Sequence, residues 1–251
     1  MAQGKGKGNN YAYLVSDDSY SESVIIDPAN PPEVLAALKP QLEKINLKTI
    51  INTHHHHDHA GGNNTMRSSL SSLNLSIIGG KDCESVENVP AHNSTFTIGK
   101  GIKVTALHTP CHTQDSICFY MEDGDDRVVF TGDTLFIGGC GRLFEGTPKE
   151  MHKALNEVLA ALPDDTKVFP GHEYTKGNVK FAKSVLPEDP EIKRLDDFAT
   201  SNEETQGKST IGDEKKFNVF MRVADPAIQK YTGETEPVAV LAKLRSAKDN
   251  A

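Results

Sequence analysis

The sequence predicts an α/β protein: a sandwich of two mixed sheets with helices on its outer faces, followed by a helical C-terminal domain. Residues 11–73 mix strand and helix patterns, residues 75–130 hold short apolar runs at hairpin spacing, and the chain after residue 172 shows helical periodicity. Strands that first alternate with helices and then follow one another are typical of two packed sheets with helices outside. We therefore expect a sandwich domain over residues 1–172 and a helical domain over residues 173–251.

The predicted elements of the first half follow a glycine- and lysine-rich start, residues 1–10, which we expect to be flexible. In order, they are strands at Tyr11–Val15 and Ser23–Ile26, a helix from Pro31 to Ile45, a buried strand at Leu47–Ile51 and a helix from His59 to Leu73. Proline in the first turn favours a helix start at Pro31.

The later elements are mostly short strands, and then helices. The predicted strands are Leu75–Ile78, Thr95–Ile98, Ile102–Leu107, Ser116–Met121, Val128–Phe130 and Lys167–Phe169. The predicted helices are one that starts at the capping box of Thr147 and ends near Leu162, then Gly177–Leu186, Asp189–Glu204 and Pro237–Lys248, with a polar loop between the last two.

Composition excludes several classes of protein. The net charge of −8 and the lack of a Lys/Arg block argue against a nucleic-acid groove, and no run is apolar and long enough to span a bilayer. The start carries neither a signal-peptide nor an import pattern, so we expect a cytoplasmic protein. The four cysteines show no Cys-x-x-Cys spacing and are expected to be buried, reduced thiols.

The most informative stretch is a histidine cluster at residues 53–62, where five of the ten histidines lie beside Asp58. If the stretch is extended, His54, His56 and Asp58 project to one side and the alternate histidines to the other. His59 can swing to the first side at the turn. Imidazole nitrogens and a carboxylate are ligands that zinc, iron or manganese accept, and overlapping pairs suggest two ions.

A histidine run also has an ordinary interpretation as an expression tag or a tract that sequesters metal. Tags lie at termini, whereas this run is internal, follows a strand pattern and precedes Ala60-Gly61-Gly62. A folded metal site is therefore favoured, and metal buffering stays open as a non-enzymatic alternative.

Three later strands each end in a residue that can bind metal. These residues are His112 after Pro110-Cys111, Asp133 after Gly132, and His172 after Pro170-Gly171. Proline forces an extended approach and glycine allows a tight turn, so each side chain would lie at a loop tip. Each signal alone is weak, but together they support the first cluster.

These motifs resemble the metallo-β-lactamase superfamily, and within it the hydroxyacylglutathione hydrolase (glyoxalase II) family. They are Thr-His-x-His-x-Asp-His, Pro-Cys-His-Thr, Gly-Asp-Thr-Leu-Phe, Gly-Cys-Gly-Arg and Pro-Gly-His-Glu-Tyr-Thr, and they occur in family order between Asn10 and Lys248. The resemblance implies an αββα sandwich with a C-terminal helical domain.

The resemblance also implies a binuclear centre of two divalent ions, zinc first and iron or manganese as alternatives. One ion would be bound by His54, His56 and His112, the second by Asp58, His59 and His172, and Asp133 would bridge them. Asp58 and Asp133 would thus position the bridging hydroxide rather than act as an acid/base pair. His55 and His57 match no ligand position and are expected to be outer-shell or exposed.

The implied reaction is hydrolysis of S-D-lactoylglutathione to D-lactate and glutathione by that hydroxide. The family's glutathione-binding positions correspond to Arg142, Phe144, Tyr174, Arg245 and Lys248. Relatives often carry Lys and Tyr where this chain has Arg142 and Phe144, so the charge is kept with a different geometry and a hydroxyl that could hydrogen-bond glutathione is lost. Without the resemblance, Arg245 and Lys248, near the end of the last predicted helix, would be interpreted as solvent-exposed side chains.

Other functions on the same fold must be weighed. A persulfide dioxygenase would use a single iron held by two histidines and an aspartate, and retention of a second ligand set argues against it. A ribonuclease-like phosphodiesterase should be basic, whereas this chain is acidic. We expect a monomer whose partner is a small glutathione thioester, with no nucleic acid and no membrane.

Overall fold

The computed structural model describes residues 10–251. Most of the start predicted to be flexible, residues 1–9, lies outside the described residues. The described chain forms two compact units, one of residues 10–108 and 115–132 and one of residues 109–114 and 133–251. The predicted division into domains at residue 172 stays a prediction.

The first unit contains eight strands and three short helices in the part of the chain that is described. Its strands are β1 (Tyr13–Ser16), β2 (Ser23–Ile26), β3 (Leu47–Asn52), β4 (Ser76–Gly79), β5 (Thr95–Ile98), β6 (Ile102–His108), β7 (Ile117–Asp123) and β8 (Asp126–Gly132). Its helices are α1 (Pro31–Leu38), α2 (His57–Ala60) and α3 (Asn63–Ser69), followed by a 3-10 turn at Ser71–Leu73.

One sheet of this unit is mixed and has the order β1-β2-β3-β4. Strands β1 and β2 are antiparallel, and β2, β3 and β4 run parallel. Ile25, Ile50 and Ile77 point from neighbouring strands into a core that helices α1 and α3 cover with Val34 and Met66. A parallel strand is usually covered on both faces and is therefore rich in apolar residues. Strand β2 fits this pattern, since it is buried at every position.

The other strands of the unit form an antiparallel meander in the order β8-β7-β6-β5. The rings of Tyr13 on β1 and Phe130 on β8 pack 5.2 Å apart, and the Ile117 amide donates to the Thr53 carbonyl at 2.8 Å. These contacts join the end of β3, where the histidine cluster begins, to the meander.

The second unit is mainly helical. Its strands are β9 (Leu135–Phe136), β10 (Gly139–Cys140) and β11 (Lys167–Pro170). Its helices are α4 (Pro148–His152, continued as a π-helix over Lys153–Leu159), α5 (Thr175–Val185), α6 (Pro190–Ser201), α7 (Ile211–Phe217), α8 (Pro226–Thr232) and α9 (Pro237–Asp249). The predicted capping box is present, since the Thr147 hydroxyl accepts from the Glu150 amide and the Glu150 carboxylate accepts in return.

Four predictions about the elements were wrong. Helix α1 ends at Leu38 rather than Ile45, because Pro40 has no amide hydrogen to continue the helical hydrogen bonds. The helix predicted from His59 is divided at Gly61-Gly62. The histidine cluster is not extended, since β3 ends at Asn52 and a turn leads into α2.

The predicted polar loop after residue 204 was the fourth error, because it contains helices α7 and α8. Each has a local start signal: a capping box between Thr210 and Asp213, and an Asp225 N-cap followed by Pro226. Both helices have polar surfaces, so their sequences were interpreted as a loop despite these start signals. The buried thiols, in contrast, are as predicted, since none of the four cysteines forms a disulfide.

Candidate metal centre

The first unit supplies four potential metal donors from the turn after β3 and from α2. His54 Nε2 and His56 Nδ1 lie 3.1 Å apart, and His59 Nε2 lies 4.0 Å from Asp58 Oδ2. Two nitrogens bound to one tetrahedral zinc at about 2.0–2.1 Å would be separated by about 3.3 Å. The spacing of His54 and His56 therefore suits two ligands of one ion.

Asp27, at the end of β2, fixes the orientation of two of these histidines. Its carboxylate accepts from the Thr53 amide at 2.8 Å, from the Thr53 hydroxyl at 2.7 Å and from His59 Nδ1 at 2.9 Å. The Thr53 hydroxyl already donates to Asp27, so it accepts from His54 Nδ1 at 3.1 Å. Both imidazoles thus carry their proton on Nδ1, which makes Nε2 the nitrogen for a metal.

The two histidines without a predicted ligand role are turned elsewhere. His55 Nδ1 lies 2.8 Å from the carboxylate of Asp115, which is itself buried. His57 begins α2 and is exposed.

The second unit supplies three buried donors, His112, Asp133 and His172. Asp133 Oδ2 lies 3.4 Å from His112 Nε2 and 3.5 Å from His172 Nε2. Both distances exceed a good N–H···O hydrogen bond but match the spacing of ligands on a shared ion. A single carboxylate oxygen between two imidazole nitrogens is the arrangement expected of a bridging ligand.

The loop after Asp133 orients His112. His112 Nδ1 lies 3.0 Å from the carbonyl oxygen of Arg142, which can only accept, so the proton is again on Nδ1 and Nε2 is the nitrogen left for a metal. The loop passes close by because residue 141 is glycine: a Cβ there would lie 1.9 Å from the Asp133 carbonyl oxygen. Gly132, with φ of +47°, likewise allows the turn that precedes Asp133.

The donors of each unit fit divalent metal ions. Carboxylate oxygens and neutral imidazoles suit zinc, iron and manganese, and outer carboxylates or carbonyls that hold the second imidazole nitrogen are typical of such sites. Asp27 and the Arg142 carbonyl fill this outer role here.

Three of the predicted substrate residues lie beside the donors of the second unit. Tyr174 stacks on His172 at 4.7 Å with nearly parallel rings, and Phe144 lies 5.2 Å from the ring of His112. Both aromatic side chains are exposed. The Arg142 side chain is also exposed, and its Nε lies 3.4 Å from Asp249.

The other two, Arg245 and Lys248, are far less solvated than a surface pair. Arg245 is buried; its guanidinium donates to the Cys140 carbonyl at 2.9 Å and to Asp249 at 2.9 Å. The Lys248 ammonium contacts the Asn178 side-chain oxygen. Burial lowers the pKa of Lys248 to about 8.

Sequence reasoning missed Asp27 and three buried polar residues of the helical part, Asn178, Glu214 and Asn218. A signal existed only for Asp27, where a charged residue follows the apolar run Val24–Ile26 and precedes proline. The others lie among charged or helical stretches, where nothing separates them from surface residues.

Sheets of this order, with histidine and aspartate donors after successive strands, define the class of the protein as the metallo-beta-lactamase superfamily, whose model matches residues 6–71 and 88–172. Residues 173–251 match the model described as the C-terminus of hydroxyacylglutathione hydrolase. The chain belongs to the hydroxyacylglutathione hydrolase family. The resemblance drawn from the motifs and the predicted fold class are therefore confirmed.

Individual relatives agree. The chain is 50% identical over 249 residues to a probable hydroxyacylglutathione hydrolase of Schizosaccharomyces pombe, covering 98% of this chain and 96% of the relative. It is 44% identical to the cytoplasmic isozyme of Saccharomyces cerevisiae, covering 96% and 94%. The crystal structure of ETHE1 from Myxococcus xanthus is similar, with a TM-score of 0.65, 26% identity and coverage of 96% and 94%. Among residues 10–251, no helix has the length and apolar character needed to cross a membrane.

Proposed function

We propose that the protein hydrolyses S-D-lactoylglutathione to D-lactate and glutathione. The observation that carries this proposal is the position of Asp133 Oδ2, 3.4 Å from His112 Nε2 and 3.5 Å from His172 Nε2. The family supports the same reaction, since the relatives are named hydroxyacylglutathione hydrolases.

The proposed cofactor is a pair of divalent ions, zinc first, with iron or manganese as alternatives. The proposed ligands are the four donors of the first unit and the three of the second, namely His54, His56, Asp58, His59, His112, Asp133 and His172. When bound, such ions lower the pKa of water and polarise the carbonyl that is attacked. Asp27, Thr53 and the Arg142 carbonyl hold the imidazoles in the tautomer that this requires.

The substrate is held by the remaining predicted residues, all in the second unit. Arg142 and Tyr174 present exposed cationic and phenolic groups next to the donor histidines, and Arg245 and Lys248 supply further positive charge for the glutathione carboxylates. Phe144 offers its ring but no hydrogen bond.

The leaving group needs no strong acid in this reaction. A thiol has a pKa of about 8.5, so glutathione can depart as the thiolate, unlike an amine or an alcohol. Asp58 and Asp133 are therefore assigned as ligands that position the reactants and not as proton donors.

We assign the chemistry to residues 1–172, which also contribute Arg142 and Phe144, and the rest of the glutathione binding to residues 173–251. The match to the metallo-beta-lactamase model ends at residue 172, and the match to the C-terminal model starts at residue 173. A monomer in the cytoplasm, without nucleic acid or membrane as partner, completes the proposal. The acidic net charge of −8 supports the lack of a nucleic-acid partner.

The deciding experiment adds S-D-lactoylglutathione to the purified protein, follows loss of the thioester absorbance, and measures bound metal by elemental analysis. We expect turnover with close to two ions per chain. Metal without thioester loss would favour a buffering protein. A single iron with oxygen uptake on glutathione persulfide would favour the dioxygenase.

A further inference from the structure

A two-stranded ribbon links the metal donors of the second unit to its substrate residues. Strands β9 and β10 pair antiparallel through a turn at Ile137-Gly138, and Gly138 has φ of +68°. The ribbon starts two residues after Asp133 and ends two residues before Arg142. Its position therefore sets where both of those residues lie.

Three buried polar side chains from the helical part bind the backbone of this ribbon. We call Asn178, Glu214 and Asn218 the buried cradle. Asn178 donates to the Ile137 carbonyl at 2.9 Å, Glu214 accepts from the Gly138 amide at 2.9 Å, and Asn218 donates to the Gly139 carbonyl at 3.0 Å. Three consecutive ribbon residues are thus each held by a different side chain.

The cradle is also tied together internally. Asn218 donates to Glu214 at 3.0 Å, and the Ser209 hydroxyl donates to the other Glu214 oxygen at 2.8 Å. Gly139 lies so close to the cradle that a Cβ there would be 2.6 Å from the Asn178 amide. Apolar side chains here would leave the Gly138 amide and the Ile137 and Gly139 carbonyls without these partners, so the polar side chains favour one defined ribbon position.

Both ends of the arrangement reach the proposed active site. Beyond the ribbon, the Gly141 amide donates to the Thr134 carbonyl at 3.3 Å, and the Arg142 carbonyl accepts from His112. On the cradle side, Asn178 contacts the Lys248 ammonium. A shift of the ribbon would therefore move the His112 ring and the substrate cations together.

We propose that Asn178, Glu214 and Asn218 are positioning residues that fix the 135–140 ribbon, and through it the orientation of His112 and Asp133. The expected changes in kcat and KM rest on the proposed function, whereas the expected changes in the Co(II) spectrum and the thermal midpoint do not. None of the three cradle side chains is assigned to touch substrate or metal.

The test compares cradle variants with a matched control. Asn156 also donates from its side chain to a buried backbone carbonyl of the same unit, Phe220 at 3.1 Å, but it does not contact the ribbon. Asn156→Ala removes one side-chain hydrogen bond to a backbone carbonyl, and Asn218→Ala removes a bond of that kind to the ribbon together with the bonds to Glu214 and to the Phe220 amide. Glu214→Gln retains an acceptor for the Gly138 amide, whereas Glu214→Ala does not.

Three quantities are measured on each protein: kcat and KM with S-D-lactoylglutathione, the visible absorption spectrum after loading with Co(II), and the thermal midpoint. We expect Asn218→Ala and Glu214→Ala to lower kcat by about tenfold or more, with KM within about threefold of the parent. Glu214→Gln should restore most of the activity, and Asn178→Ala should also raise KM because Lys248 loses its partner. The Co(II) spectrum should change in Asn218→Ala and stay unchanged in Asn156→Ala.

Equal kcat and equal Co(II) spectra in Asn218→Ala and Asn156→Ala, at a similar loss of thermal stability, would overturn the proposal. If Asn218→Ala does not fold, the comparison of Glu214→Ala with Glu214→Gln decides. Equal kcat in Glu214→Ala and the parent would then overturn the proposal. A parent protein without thioesterase activity would overturn the proposed function, and the Co(II) spectra would still decide whether the cradle positions His112.

Discussion

His59 Nδ1 lies 2.9 Å from the carboxylate of Asp27, a residue that holds a left-handed backbone with φ of +49°. This conformation is unfavourable for residues other than glycine, although aspartate and asparagine tolerate it better than most. The carboxylate also binds Thr53 through two hydrogen bonds. Asp27 thus organises the turn that carries the first donors and sets the tautomer of His59.

Replacing Asp27 should weaken metal binding without removing a ligand. Asp27→Asn tolerates the same backbone but loses the charge and one acceptor, so we expect about 10- to 100-fold lower metal affinity, as for other outer partners of metal-bound histidines. Competition with a chelator followed by elemental analysis measures this change. Asp17→Asn, which alters a buried aspartate in the turn between β1 and β2, is the control. Unchanged metal retention in Asp27→Asn would contradict the role assigned to Asp27.

The histidine cluster should separate into ligands and bystanders. His56→Ala removes a nitrogen that lies 3.1 Å from His54 Nε2, so we expect turnover to fall below detection and bound metal to drop. His57→Ala changes an exposed side chain and should leave kcat within about twofold of the parent. Equal metal loss in both variants, in a parent that shows no thioesterase activity, would instead favour a metal-sequestering tract.

Phe144 allows a gain-of-function test. Its exposed ring lies beside His112 but lacks the hydroxyl that the family resemblance leads us to expect. Phe144→Tyr should lower KM by about fivefold, the value of one ordinary hydrogen bond of about 1 kcal/mol, with kcat little changed. Phe144→Leu serves as the control for ring contact alone. A KM that does not fall in the tyrosine variant would show that this position does not contact glutathione.

Glu214 predicts a pH dependence of stability. Burial raises its pKa from 4.5 to about 7, so the folded state binds the proton more tightly than the unfolded state. Its stabilising contribution is complete below pH 4.5 and is lost as the pH rises through about 7. Glu214→Gln is neutral throughout, so it should gain stability relative to the parent between pH 5 and 8, by roughly 3 kcal/mol at most.

Urea unfolding of both proteins at several pH values measures this difference. Glu43→Gln, at an exposed position, should show no such trend. A constant difference between the Glu214→Gln variant and the parent across this pH range would mean that Glu214 is not buried as a carboxyl with a raised pKa.

The sequence was most informative where one residue determines local geometry. Strand β2 matched its prediction residue for residue, because Ser23–Ile26 is a short apolar run closed by Asp27-Pro28. For the proposed ligands the sequence offers two signals: a histidine cluster after β3, and a glycine or proline shortly before His112, Asp133 and His172. Their role as metal ligands stays a prediction. Helices α7 and α8 were missed because their exposed surfaces resemble a loop.

The partners of Asp27 and Glu214 could not be predicted from the sequence. Glu214 is 76 residues from Gly138, and Asp27 is 32 residues from His59, so only the tertiary fold brings these hydrogen bonds together. The same applies to Arg245, which pattern alone assigned to a solvated helix surface but which lies buried on the Cys140 carbonyl, 105 residues away.

Lys248 predicts a pH dependence of substrate binding. Burial lowers its pKa to about 8; the nearby positive charge of Arg245 also lowers this pKa, and the negative charge of Asp249 raises it in part. The ammonium is therefore lost as the pH rises through about 8, and KM for an anionic glutathione thioester should rise between pH 7 and 9 while kcat changes little. Lys248→Arg keeps its charge because a guanidinium stays protonated throughout this pH range, so its KM should stay level. Parallel rises of KM in the parent and in Lys248→Arg would assign the effect to another group and remove Lys248 from the glutathione site.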